Sequence, residues 1–366
     1  MNKTVLLSAG GTGGHLFPAQ SLAQELGERG WTVHLATDKR AERFSGAFPA
    51  KAIHIIDSAT ISGKSPVMVA KAIYTLAVGY FRSRSLISKI KPDVAVGFGG
   101  YPTVPPLLAA AHKAVPTVLH EQNAIMGRAN RFLAGRVSAI AVGFEQQKGA
   151  SVGSAPVTLT GNPLRDLAHE AAQTPFRVPS ADGPFHLLIF GGSQGARFFS
   201  QITPKALSLL TNDQKKRMRL TIQARPEDAE NLRSELSEIG VEAHIETFFD
   251  NLPGHIASSQ LVMCRSGASS VAELALIGRP SILVPLPGSL DDDQGANAKG
   301  LADAGGAVLV RQRELSAEKL AQLLTEAMAD NEGLALQAES AKKAGIPDAA
   351  SKLADLVEAN VSTLKR

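Results

Sequence analysis

TVLLSAGGTGGHLFPAQ, residues 4–20, passes from strand chemistry to turn chemistry to helix chemistry. Val5, Leu6 and Leu7 read as a short buried strand. Gly10, Gly11, Gly13 and Gly14 then lack Cβ atoms at four of five positions, so the backbone can adopt φ > 0 and its N–H groups can approach a ligand closely. His15 follows, and from Phe17 the pattern is helical. Bare amides at a helix N-terminus form an anion site, suited to a phosphate or diphosphate.

The dinucleotide fingerprint G-x-G-x-x-G/A fits this loop poorly. Counting from Gly11, Gly13 falls correctly but Leu16 occupies the third position, where close helix–strand packing wants a small residue. Asp38, after the strand pattern Trp31 to Thr37, is the one feature that favours a nicotinamide cofactor. A second phosphate motif fails too: Gly63-Lys64-Ser65 lacks the upstream glycine of a P-loop, because position 58 is Ser58. Ser65 with Pro66 instead reads as an N-cap and first helical residue, opening a helix to Lys91.

The chain has 366 residues, long for one core, so two domains are expected. Hydrophobic content of 44% with 20% charge excludes a disordered or fibrous class. A single cysteine, Cys264, rules out an internal disulfide framework, and its apolar surroundings suggest a buried strand thiol. Too few apolar residues precede the glycines for a signal peptide. The run Val67 to Phe81, broken by Lys71, Thr75 and Gly79, falls short of the ~20 apolar residues of a spanning helix. A net charge of +4 gives no bulk signal for nucleic acid.

Strand-like runs alternate with helical ones: Val5 to Leu7, Thr32 to Ala36, Ala52 to Ile56, Asp93 to Gly97, Thr117 to His120, Ser138 to Val142 and Val157 to Thr160. Such alternation predicts a parallel sheet with right-handed crossovers. The pattern restarts at Phe185 to Phe190, where Gly191-Gly192-Ser193-Gln194-Gly195 leads into another helix. Further strands follow at Arg219 to Gln223, Glu242 to Glu246, Leu261 to Cys264, Ser281 to Val284 and Ala307 to Val310. The fold class is therefore α/β, two tandem Rossmann-like domains facing a cleft, with Ala171 to Pro184 as the linker region. The expected domains are residues 1–163 and 164–346, and the last helix, 347–366, is expected to pack back on the first.

Ligands of open parallel sheets bind at the carboxyl ends of the strands. Here those ends carry GFGGYPT (97–103), HEQNA (120–124), GNPLR (161–165), GGSQGA (191–196), CRSGASSVAE (264–273) and PLPGSLDDDQGANA (285–298). Polar, glycine-rich content is thus concentrated on one edge of both predicted sheets.

In this order, GGTGGH, GGYPT, HEQNA, GNPLR, GGSQGAR, CRSGA with Glu273, and Gln294 with Asn297 resemble the MurG family across both halves. Those bacterial transferases add N-acetylglucosamine from UDP-N-acetylglucosamine to lipid I, giving lipid II. The resemblance implies a GT-B architecture, an inverting reaction without a cofactor, and an acceptor diphosphate held by Gly11, Gly13, Gly14, Gly99, Gly100 and Tyr101. It also implies donor contacts at Thr12, Gly13, Gly14, Asn123, Arg165, Ser193 and Phe249. Ser266, Gly267, Ala268, Ser269, Ser270 and Val271 match the loop under the donor diphosphate, Glu273 the ribose-binding acid and Gln294 the sugar-binding glutamine. Phe249 departs from the aliphatic residue of many members, which a backbone contact to uracil tolerates.

Two residues compete as general base. His15 lies on a positive helix end, which favours a neutral imidazole, and is preferred; Glu121 is the rival, and its other reading is a hydrogen-bonded clamp. His120 reads as a satisfied strand-end histidine. Asp291 to Asp293 reads as a solvated loop in preference to a metal site, since helix amides and arginine can stabilise a diphosphate. A UDP-sugar epimerase on the same fold and a non-catalytic sugar-binding protein are the alternatives. A family acting on a polyprenyl acceptor also implies a peripheral position on the cytoplasmic face of the inner membrane. Helix Pro66 to Lys91 suits contact with an anionic surface, with Val69, Ile73, Leu76, Tyr80 and Phe81 flanked by Lys64, Lys71, Arg82, Arg84, Lys89 and Lys91.

Overall fold

A computed structural model describes residues 3–10, 13–39, 48–59, 65–145, 153–192 and 196–363. The chain divides into two compact units, residues 1–165 with 348–366, and residues 166–347. The first boundary thus falls two residues later than the sequence suggests. Leu164 is buried and the Arg165 guanidinium lies over the Phe17 ring at 4.3 Å, so side-chain packing carries the first unit past the GNPLR turn.

The first unit holds a seven-stranded sheet in the order β3-β2-β1-β4-β5-β6-β7. Its strands are β1 (Thr4–Ser8), β2 (Thr32–Thr37), β3 (Ala52–Ile55), β4 (Val94–Gly97), β5 (Thr117–Glu121), β6 (Ala139–Val142) and β7 (Val157–Leu159), all parallel. Buried on both faces, β1 has no polar side: Val5 and Leu7 join one core cluster and Leu6 another. Helices Gly13–Glu28 and Ala349–Thr363 cover the first face. Leu353 and Val357 are fully buried there, each contributing about 1.5–3 kcal/mol. Arg29 bonds Asp355 and Glu358 on the same helix, and the Trp31 indole donates to Glu358 Oε1 at 3.0 Å.

The second unit repeats the scheme with a parallel six-stranded sheet ordered β10-β9-β8-β11-β12-β13. Its strands are β8 (Phe185–Phe190), β9 (Met218–Gln223), β10 (Glu242–Glu246), β11 (Leu261–Cys264), β12 (Ser281–Leu283) and β13 (Ala307–Leu309). Arg279 is 1% exposed and meets backbone carbonyls: its guanidinium donates to Ala257, Ile277, Gly278, Thr174 and Pro175. Lys342 Nζ donates to Ala172 and Leu276 beside it. Those carbonyls lie at or just past the negative ends of helices Asp166–Ala171, Leu252–Ser258 and Ala268–Ile277, which compensate the buried cation. Burial lowers the Arg279 pKa only to about 10, so it stays charged at neutral pH. Cys264 is buried and its thiol is pushed upward by desolvation, which leaves it inert as a nucleophile.

Ser65 stands at the N-cap of helix Pro66–Ile90, but its side chain makes no capping bond; Pro66 alone supplies the helix-start signal. The first glycine-loop helix begins at Gly13, ahead of the expected Phe17, because Gly13 and Gly14 are themselves helical.

Candidate active site

Strand order reverses between β1 and β4 in the first sheet and between β8 and β11 in the second. These are the switch points where crossovers diverge and a crevice opens. Ser8 pairs with Gly97, and Phe190 with Cys264, so in each unit two motif loops leave adjacent strand ends.

In the first unit, Gly10 and the GFGGYPT turn interlock. A Cβ on Gly10 would lie 2.7 Å from Pro102 Cγ, and one on Gly97 would lie 2.6 Å from Leu107 Cδ2. Gly99 (φ 86°) and Gly100 (φ 74°) take the left-handed conformation, and the Thr103 hydroxyl ties the turn to the carbonyls of Gly99 (2.7 Å) and Ser8 (3.1 Å). The His15 ring rests on this turn, with Cδ2 3.3 Å from the Cβ position of Gly99 and Cε1 3.8 Å from that of Gly100. Loss of water around the ring lowers its pKa below the ordinary 6.5, so the imidazole is neutral at pH 7. Leu16, the misfit of the dinucleotide fingerprint, is fully buried in the core.

Glu121 ends β5 and is 2% exposed. Oε1 accepts from Asn123 N (2.9 Å) and Asn123 Nδ2 (3.3 Å); Oε2 accepts from Gly127 N (2.9 Å) and Asn130 Nδ2 (2.8 Å). Four donors fill the roughly four lone-pair sites of a carboxylate, and none remains for a substrate proton. Burial outweighs these bonds and leaves the pKa raised, but the geometry is that of a clamp closing the 122–130 loop. His120 is only half satisfied, contrary to the sequence reading: Nε2 bonds the Gly161 carbonyl at 3.0 Å while the buried Nδ1 has no hydrogen-bond partner among the described residues, the ring packs on Phe98, and burial lowers its pKa to about 4.

In the second unit, Gly267 caps helix Ala268–Ile277, whose first turn carries half-exposed Ser269 and Ser270 beside buried Ala268 and Val271. Its N-terminal amides form the anion-binding end described by the helix dipole. Glu273 lies on the same helix, 8% exposed. Ser266 is fully buried, and its hydroxyl donates to the Gln294 carbonyl (2.8 Å), so its side chain is a join within the protein. Asn297 Nδ2 reaches the Ser266 carbonyl at 3.2 Å. Gln294 Oε1 accepts from Leu286 N at 2.9 Å. Phe249 is buried, with its ring 4.8 Å from His255.

His15, Gly13, Gly14, Gly99, Gly100, Tyr101, Glu121, Asn123 and Arg165 belong to the first unit, where contacts join His15 to Gly99 and Gly100 and Glu121 to Asn123. Phe249, Ser266 to Val271, Glu273 and Gln294 belong to the second, where Ser266 bonds Gln294. Gly11, Thr12 and Ser193 lie outside the described residues. Of the Asp291–Asp293 run, Asp292 is bound by Arg311 and Asp293 accepts from Gln294 N; among the described residues no group of three His, Cys, Asp or Glu side chains has metal-binding geometry. Sequence reading missed Arg265, which is 6% exposed and donates to the Val284 and Pro285 carbonyls and to Gln312 Oε1. Its signal was a charge at the end of an apolar strand. The Asp292–Arg311 pair, nineteen residues apart, left none.

Two tandem parallel sheets with paired motif loops at their switch points form the two-domain α/β scaffold of GT-B glycosyltransferases. Residues 5–142 match the N-terminal domain of glycosyltransferase family 28, and residues 186–353 match its C-terminal domain. The chain is 52% identical, over 98% of its length and 96% of the relative's, to the UDP-N-acetylglucosamine–N-acetylmuramyl-(pentapeptide) pyrophosphoryl-undecaprenol N-acetylglucosamine transferase of Rhizobium meliloti (strain 1021). It belongs to that transferase family, MurG, within the GT-B class. The crystal structure of Acinetobacter baumannii MurG superposes with a TM-score of 0.79 at 29% identity, covering 97% of this chain and 99% of that one. A putative UDP-N-acetylglucosamine 2-epimerase from Listeria monocytogenes (TM-score 0.71, 15% identity, 99% and 98% covered) shares the fold alone.

Proposed function

We propose that the chain is an inverting glycosyltransferase that moves N-acetylglucosamine from UDP-N-acetylglucosamine to the C4 hydroxyl of the N-acetylmuramyl unit of lipid I, forming lipid II. The identity of 52% along both units carries this reading. In it, the first unit handles the acceptor, with the amides of Gly13, Gly14, Gly99 and Gly100 receiving the diphosphate. His15 takes the C4 hydroxyl proton as the oxygen bonds to the anomeric carbon and the bond to UDP breaks. The second unit holds the donor: the Gly267–Ser270 amides stabilise the charge on the departing diphosphate, Glu273 binds the ribose and Gln294 the sugar. UDP release measured with and without a lipid I analogue tests this. Release dependent on the acceptor is expected; release without it would favour an epimerase or hydrolase.

The same reading places the enzyme on the cytoplasmic face of the inner membrane, with helix Pro66–Ile90 on anionic lipid. No helix among the described residues is long and apolar enough to cross a membrane. Ala72, Gly79, Ser83 and Ile87 face the protein. Val67, Tyr74 and Phe81, spaced seven apart, are 76%, 70% and 67% exposed, with Ile73 and Met68 beside them. Of the residues first assigned to this surface, Val69, Leu76 and Tyr80 are half-buried; Tyr80 bonds His112. Arg82 is paired with Asp57, which leaves Lys71, Arg84, Lys89 and Lys91 as the main positive rim; Lys64 lies outside the described residues.

A further inference from the structure

We propose that Arg311 is a positioning residue for the donor sugar: its two-pronged grip on Asp292 fixes the turn that presents Gln294. The proposal rests on the assignment of Gln294 to the sugar. Asp291 (φ 52°) and Asp292 (φ 59°) are consecutive non-glycine residues in the left-handed conformation, which side chains disfavour and a surrounding contact must hold. That contact is Arg311, whose Nη1 and Nη2 donate to the two carboxylate oxygens of Asp292 at 2.5 and 2.8 Å. The planar fork matches the carboxylate and fixes direction as well as distance.

The pair is seated on the first turn of helix Asp293–Asp303. A Cβ on Gly295 would lie 2.5 Å from both terminal guanidinium nitrogens and from Asp292 Oδ2, so glycine at this position leaves the fork its room. Between Asp292 and Gly295 stand Asp293 and Gln294, and Gln294 is held at three points. Its N–H donates to Asp293 Oδ1 (2.7 Å), its carbonyl accepts from Ser266 (2.8 Å), and its side-chain oxygen accepts from Leu286 N (2.9 Å). With Oε1 so engaged, the amide Nε2 of this half-exposed residue is the group that would donate to a ligand hydroxyl.

A cavity of about 300 Å³ beside this turn is lined by Pro285, Leu286, Pro287 and Gly288 together with Asp292 and Arg311. The backbone also closes this turn, Asp292 N donating to the Ser289 carbonyl at 3.1 Å and Ser289 N to the Leu286 carbonyl at 3.2 Å, and the ion pair ties the closed turn to Arg311.

The test compares the donor with its product in the full-length enzyme. Arg311→Ala is expected to raise KM for UDP-N-acetylglucosamine about tenfold, the effect of losing one hydrogen bond to the sugar. The inhibition constant of UDP, which lacks the sugar, should move less than about twofold. The exchanged double variant Asp292→Arg/Arg311→Asp should recover most of the loss. An unchanged KM in Arg311→Ala, or equal weakening of UDP and UDP-N-acetylglucosamine, would overturn the proposal. Gln294→Ala separates it from the parent reading. Impairment there with a silent Arg311→Ala removes the latch alone, whereas an indifferent Gln294→Ala removes the sugar assignment and the latch with it.

Discussion

The two switch points are built alike and equipped differently. In the first unit the loops enclose titratable side chains: His15 against Gly99 and Gly100, and Glu121 inside four donors. In the second unit the loops enclose fixed dipoles and pinned groups: the Gly267 helix end, Arg265 on two carbonyls, and Gln294 held by Leu286 and Ser266. In the function proposed above, one parallel-sheet scaffold would serve proton transfer in one copy and anion and hydroxyl recognition in the other. The division lies in the loops, since the strand orders correspond.

The comparison predicts that variants of the first unit act on turnover and variants of the second on donor affinity. The largest effect is expected for His15→Ala, which should lower kcat by ~100- to 10,000-fold with little change in donor binding. Because burial holds the His15 pKa below 6.5, the fall of wild-type kcat/KM on acidification, as the base is protonated, should have its midpoint below pH 6.5. A comparable kinetic loss in Glu121→Gln without loss of folding stability, beside an active His15→Ala, would reverse the two roles. Next, Glu273→Ala should weaken UDP-N-acetylglucosamine binding by ~1–3 kcal/mol in calorimetry while kcat at saturating donor is retained. Unchanged affinity would dissolve the contrast between the units. The smallest effect concerns helix Pro66–Ile90, the proposed membrane contact. Arg84→Glu should reduce co-sedimentation with anionic vesicles by about 1–2 kcal/mol, and raised salt should erase the difference. Equal binding to neutral vesicles would remove this helix as the docking face.

Much of the architecture was readable from sequence because it rests on local signals. Apolar runs such as Val5 to Leu7, glycines after each strand, and Pro66 at a helix start depend on near neighbours in the chain. The motifs also fell at the strand ends, where a parallel sheet presents its ligands. What escaped was long-range and polar. Neither Asp292 with Arg311 nor Arg265 with the 284–285 carbonyls has a periodicity to betray it. The outward face of helix Pro66–Ile90 was misjudged for a related reason. Apolar residues surround that helix, and composition alone does not tell Tyr74, which is exposed, from Leu76 and Tyr80, which are packed.

The C-terminal helix has a consequence for biosynthesis. The second unit is continuous in sequence, whereas the first needs Leu353, Val357 and Val361 to cover the apolar face that includes Leu22 and Leu26. A ribosome making ~5–20 residues per second takes roughly 10 to 40 s to travel from the first boundary to that helix. For that interval the nascent first unit presents an open greasy flank to any chaperone at the exit tunnel. The unit begun first is therefore completed last, after its partner has had time to fold.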